Sequence, residues 1–108
     1  MNPEILKGHL DFLLLATLES NPAHGYLVLE RLREQSRGSF DLPEGTIYPA
    51  LHRLEDAGLL ASRWSQTSGR RRRVYQLTPK GRRSLEKRGQ EWKHFVGGVE
   101  AVLEGGRP

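Results

Sequence analysis

A mainly α fold carrying one small β-hairpin is predicted by three features of the sequence. Breaker-separated apolar and amphipathic stretches fill its first half, strand formers flank Thr67-Ser68-Gly69, and a long final stretch repeats apolar residues every seven positions. With 108 residues and 36% hydrophobic content, the chain suffices for one compact core and is short for two.

Residues 5–19 are mostly apolar (Leu6, Leu10, Phe12, Leu13, Leu14, Leu15, Leu18) and contain neither Pro nor a Gly after Gly8. Apolar side chains on nearly every face predict a helix covered on more than one side. Ser20-Asn21-Pro22 breaks it, and Ser20 or Asn21 is the expected N-cap of a second helix over residues 22–35. There Ala23, Tyr26, Leu27, Leu29 and Leu32 form the expected inward stripe, with Glu30, Arg31, Arg33 and Glu34 outward. Residues 36–42, with Gly38, read as a loop.

A third helix is expected from Pro43 or Glu44 to a stop at Gly58. Ile47, Leu51 and Leu54 recur at i, i+4 and i+7 on its inward face. Gly45, Pro49, His52, Arg53 and Asp56 stand opposite, with Thr46 and Tyr48 on the flanks. Three helices in about sixty residues, the last short and polar outward, meet the requirement of a helix-turn-helix.

Residues 60–66 and 70–77 hold Trp64, Val74, Tyr75 and Leu77 around turn formers, which predicts the hairpin. Side chains alternate along a strand, so Arg70 and Arg72 face away from Arg71 and Arg73. A hairpin with arginine on both faces is expected outside the core. Thr78-Pro79 then starts a helix to about residue 103, in which Leu85, Trp92 and Val99 recur every seven residues beside Phe95, Val96, Val102 and Leu103. That stripe predicts packing against the same helix of a second copy. Gly97-Gly98 costs about 1 kcal/mol per glycine relative to Ala and fits either a close helix approach or a kink. The expected organisation is a winged helix-turn-helix over residues 1–78, followed by a C-terminal dimerisation helix and short tail over 79–108.

Composition narrows the chemistry. The absence of Cys excludes disulfide scaffolds, thiolate zinc sites and cysteine nucleophiles. No apolar run reaches the length of about 18 residues that spans a membrane, and the N-terminus lacks a signal-peptide pattern, so a cytoplasmic protein is expected. His9, His24, His52 and His94 form no i, i+4 pair, so no metal is expected. Without a phosphate loop or a nucleophile turn, neither a cofactor nor an enzymatic activity is expected.

The net charge of +4 is unevenly spread. Residues 1–59 hold five Lys and Arg against nine Asp and Glu, residues 60–88 ten against one, and residues 89–108 two against three. The middle segment draws polyanions by attraction and by counterion release. A merely solvated face is the alternative until the segment is placed on a fold.

His24-Gly25-Tyr26 opens the second helix, and Gly45-Thr46-Ile47-Tyr48-Pro49-Ala50-Leu51-His52-Arg53-Leu54-Glu55-Asp56-Ala57-Gly58-Leu59-Leu60 follows over the third. With Gly69-Arg70-Arg71-Arg72-Arg73-Val74-Tyr75-Gln76-Leu77-Thr78-Pro79-Lys80-Gly81, this order resembles the PadR family of bacterial and archaeal transcriptional regulators over residues 5–103. The third-helix motif is the specific part, because a basic wing alone fits several winged-helix families. With a single terminal helix, the chain resembles the short subgroup. The arginine run is more basic than the family's usual pattern, and Val74 stands where an aromatic is common. The resemblance implies a homodimeric repressor that binds a pseudo-palindromic double-stranded DNA operator and leaves it when a small molecule binds.

Two copies about a two-fold axis would place their third helices in successive major grooves, about 34 Å apart. Thr46, Pro49, His52 and Arg53 are then expected near base edges or phosphates, with Tyr48 bonding a phosphate. The alternatives are a half-buried core ring for Tyr48 and an ion pair with Asp56 or Glu55 for Arg53. Arg70, Arg71, Arg72 and Arg73 are expected on phosphates or in a narrow minor groove, the alternative being a solvated loop. The resemblance further suggests Phe12, Trp92 and Val96 as contacts for a flat aromatic effector, against simple packing of Trp92. Leu85, Trp92, Phe95, Val99 and Leu103 are the expected dimer interface. Two other functions fit the same fold: a protein-interaction module whose basic hairpin docks an acidic partner, and a drug-binding sensor acting by ligand capture at the dimer interface.

Overall fold

Leu14, Leu15 and Leu18 are almost fully buried, and the other elements close around them. The computed structural model describes residues 3–67 and 69–106; Ser68, expected in the hairpin turn, lies outside the described residues. The single helix expected over residues 5–19 is two, α1 (Pro3–Lys7) and α2 (Leu10–Thr17). Gly8 has the weakest helix propensity after Pro, and the chain tightens there: the His9 N–H donates to Leu6 O at 2.9 Å before the ladder resumes from Leu13 N–H to His9 O at 3.0 Å.

The second helix also departs from expectation. Ala23–His24 forms a short strand, β1, so α3 (Gly25–Gln35) starts later than expected, and its N-cap is His24 rather than Ser20 or Asn21. The shift resets the helix phase. Gly25, Val28, Leu29 and Leu32 point inward, whereas Tyr26 is exposed. Arg31 is not a solvated outward residue either: its guanidinium donates to the carbonyls of Thr17 at 3.1 Å, which the end of α2 leaves open, and of Asn21 in the following loop at 2.8 Å.

Helix α4 (Glu44–Asp56) buries Ile47, Ala50, Leu51 and Leu54 and leaves its other face exposed. Pro49 stands inside it and offers no N–H to the carbonyl one turn back, at Gly45. At the far end Gly58 adopts φ +79°, with the Gly58 N–H on Glu55 O at 2.9 Å and the Leu59 N–H on Leu54 O at 3.0 Å. This paired closure satisfies two terminal carbonyls and turns the chain into the sheet.

Strands β2 (Leu60–Thr67) and β3 (Arg70–Leu77) pair antiparallel, and β1 joins the other edge of β3, giving the order β1-β3-β2. His24 lies opposite Val74, and Trp64 opposite Arg73. The hairpin is not wholly outside the core, as expected from its arginines, because Leu60, Tyr75 and Leu77 at its base are buried; only the arginine-bearing end projects.

Helix α5 (Pro79–Leu103) is capped by Thr78, whose Oγ1 accepts from the Gly81 N–H at 3.0 Å. The same hydroxyl donates to Gly58 O at 2.7 Å, and Lys80 Nζ donates to Ala57 O at 2.9 Å, locking the start of α5 to the end of α4. Gly81 and Leu85 are buried against the body, whereas from Trp92 onward the apolar side chains are largely exposed. The helix runs unbroken through Gly97 and Gly98. Its length makes the chain elongated, with principal extents of 58 × 28 × 21 Å.

Candidate nucleic-acid interface

The tight turn after Gly58 brings the outward face of α4 and the projecting end of the hairpin to the same side. Between them lies a cleft of about 700 Å³, lined by Tyr26, Tyr48 and His52 from the helices and by Trp64 and Arg70 to Arg73 from the hairpin. Among the described residues Glu44 is the one carboxylate on its wall. Lined by four guanidinium groups and by aromatic rings, the cleft has the charge to attract a polyanion.

Alternation along β3 sorts the four arginines. Arg71 and Arg73 stack on Trp64, their guanidinium carbons 4.5 and 5.4 Å from the ring centre. Arg73 also donates from Nε to Ser62 Oγ at 2.7 Å and pairs with Glu55 at 3.5 Å, so it is already tied to α4. Arg72 points to the other face, its Nη1 2.9 Å from His24 Nε2. Arg70 is exposed and its side chain has no ion pair or hydrogen bond among the described residues. Among the described residues the side chain of Arg70 is without a partner, whereas Arg71, Arg72 and Arg73 each contact another side chain.

On α4, His52 and Tyr48 reach the cleft, whereas Thr46, Pro49 and Arg53 lie on the exposed surface outside it. The Tyr48 ring packs over Gly25, whose missing side chain makes room for it, and the residue remains 37% exposed. Arg53 forms an ion pair, but with Asp11 of α2 at 2.6 Å, not with the Glu55 or Asp56 of its own helix. An exposed pair of this kind contributes about 0–1 kcal/mol, so a phosphate can displace Asp11 at small cost.

The residues expected at an effector site are not gathered in one chain. Phe12 lines a groove of about 710 Å³ between α2 and the first half of α5, with the Arg88 guanidinium over its ring at 5.6 Å. Trp92 and Val96 lie outside that groove, and Trp92 meets His9 edge-on at 5.1 Å. Leu85, expected at the dimer interface, is only 7% exposed within its own core. By contrast Phe95, Val99 and Leu103, with Val102, line an open apolar trough of about 480 Å³ on the far half of α5. Among the described residues no group of three or more His, Cys, Asp or Glu could hold a metal ion.

The family model of the transcriptional regulator PadR-like family matches residues 14–87, which span the helix-turn-helix, the hairpin and the buried start of α5. The chain belongs to the PadR-like family. The transcriptional regulator Rv3488 of Mycobacterium tuberculosis is 46% identical over 65 residues, covering 60% of this chain and 58% of that one. A PadR family transcription regulator of Clostridium difficile superposes with a TM-score of 0.78 at 36% identity, covering 88% of this chain and 98% of that one. The PadR of Bacillus subtilis, solved in complex with operator DNA, matches with a TM-score of 0.65 at 25% identity over 72% of this chain and 45% of that one. This PadR-like chain is thus a transcriptional regulator with a winged helix-turn-helix, not an enzyme.

Among the residues of this PadR-like regulator's cleft that escaped the sequence reading are His24, as a side chain with a partner, Tyr26 and Trp64. His24 Nδ1 accepts the Leu27 N–H at 3.2 Å while its Nε2 faces Arg72. A neutral imidazole accepts at one nitrogen and an imidazolium at neither. Burial first, and the Arg72 guanidinium second, hold the His24 pKa below its ordinary value, against an upward pull from Glu30. The folded state therefore favours the neutral ring. The stability this supplies is complete above the unfolded pKa of about 6.5 and is lost as pH falls through the lower, folded value. Urea midpoints measured on either side of that window are expected to drop on acidification in the natural chain and to drop less in His24→Asn, which keeps a capping side chain without the titration. An equal drop in both would assign the effect to another group.

Proposed function

We propose that the chain is a homodimeric, sequence-specific repressor that sets α4 in the major groove of a pseudo-palindromic operator, sets the hairpin tip on the neighbouring backbone and minor groove, and acts in the cytoplasm. The observation that carries this reading is the shared cleft: the uncovered face of α4 and the arginine-rich hairpin open to the same side of the molecule. The operator-bound PadR of Bacillus subtilis supports it. The apolar trough on α5 supports a second copy as partner. Release by a flat aromatic effector belongs to the same reading. Phe12, Trp92 and Val96 would form its platform only where two copies bring their α5 helices together.

Selection of bound duplexes from a random DNA pool, followed by affinity measurement over a range of salt, tests the proposal. The expected outcome is a repeated motif with inverted half-sites and a log-log salt slope steeper than about −4. Replacing Arg70 by Ala is expected to weaken binding to every duplex alike and to flatten the slope, whereas Arg53→Ala also relaxes the sequence preference. A flat salt dependence, or equal binding to selected and scrambled duplexes at physiological salt, would favour the acidic-protein partner instead.

A further inference from the structure

One exposed ring organises the wing. Ser62 Oγ donates to the Glu55 carboxylate of α4 at 2.5 Å and accepts from Arg73 Nε at 2.7 Å. The Arg73 guanidinium lies against Trp64, its neighbour across the ladder, and the Trp64 ring meets Arg71 closer to the turn. A continuous set of contacts thus runs from Glu55 through Ser62, Arg73 and Trp64 to Arg71. Trp64 is 52% exposed, so packing of the core does not account for it. What the ring does is hold two like charges side by side, which in water alone would repel each other and move freely.

We infer that Trp64 is a positioning residue for DNA recognition: it presets the Arg71 guanidinium at a fixed reach from α4, so that Arg71 enters a narrow, A·T-rich minor groove beside the major-groove site. The inference rests on the DNA-binding reading and adds to it a residue and a base-composition preference. A guanidinium loses rotamer freedom when it enters a groove, and one already stacked loses less. Narrow A·T-rich minor grooves concentrate negative potential and draw arginine at positions where no base edge is read. Arg70, with no such support, contributes charge without a preset direction.

The test uses duplexes selected by the natural chain and then paired so that they differ only in an A·T or a G·C flank next to the half-site. Trp64→Leu is expected to weaken binding about fivefold per wing and to shrink the A·T preference, with the thermal midpoint nearly unchanged because the ring is outside the core. Trp64→Phe, which keeps an aromatic face, restores most of both. In an Arg71→Ala background the Trp64→Leu step is expected to cost less than about twofold, since its object is already gone. An equal cost in both backgrounds, or a flank preference that survives Trp64→Leu undiminished, overturns the inference while leaving DNA binding intact. Failure of the natural chain to select any duplex overturns the DNA-binding reading, and this inference with it.

Discussion

Gly81→Ala is expected to lower the thermal midpoint by about 10 °C, corresponding to about 2–3 kcal/mol of overpacking in a domain of this size. Gly81 lies in the first turn of α5, where its Cα faces the backbone carbonyl of Leu59 so closely that an added methyl would overlap the oxygen and would also stand 3.3 Å from Leu77 Cδ2. Neither side yields cheaply. Leu59 O accepts the Thr78 N–H at 3.2 Å, Leu59 N–H is held on Leu54 O at 3.0 Å, and Thr78 and Lys80 clamp the adjoining carbonyls of Gly58 and Ala57. The strain therefore reaches α4, the hairpin and α5 together. Gly89, on the same helix with open space around it, is the control. Gly89→Ala is expected to raise stability by about 0.5–1 kcal/mol through helix propensity. Thermal melts by circular dichroism at matched protein concentration measure both, and a Gly81→Ala midpoint equal to that of the natural chain would mean that the junction gives way at no cost.

A second large effect is expected from charge placed in the α5 trough. Phe95 is 61% exposed and Leu103 79% in the single chain, although each would contribute about 1.5–3 kcal/mol if covered. In the proposed homodimer a second copy supplies that cover along the face of Phe95, Val99, Val102 and Leu103. Phe95→Glu combined with Val99→Glu is expected to leave only the 12.3 kDa species in sedimentation at micromolar concentration, with a folded core. Operator affinity is then expected to fall at least about 100-fold, because a lone protomer engages one half-site and loses the energy of the other. Persistence of the dimer would move the interface elsewhere, and a monomer that keeps full affinity would show that half-sites are bound independently.

Both effects depend on features that differ in how far they can be read without coordinates. Gly58 as a stop, Thr78-Pro79 as a start and the α4 stripe of Ile47, Leu51 and Leu54 are legible because capping and helical periodicity act within one or two turns. Alternation along β3 likewise separates Arg71 and Arg73 from Arg72 before any partner is known. The phase of α3 is different. Once Ala23 and His24 pair with Tyr75 and Val74, the helix starts at Gly25, Val28 becomes core and Tyr26 turns to the cleft. That pairing joins residues some fifty positions apart, and no local propensity encodes it.

The amino-acid sequence by itself determined α4, the hairpin and α5 in their order, the concentration of positive charge after Leu60 and the family, because each rests on neighbours along the chain. Only the tertiary structure decided which charges are free. Asp11 for Arg53, His24 for Arg72 and Glu55 with Ser62 for Arg73 are partners supplied by other elements. A side chain's electrostatic role depends on what lies within a few ångströms of it, and in a folded chain that distance has no fixed relation to separation in sequence.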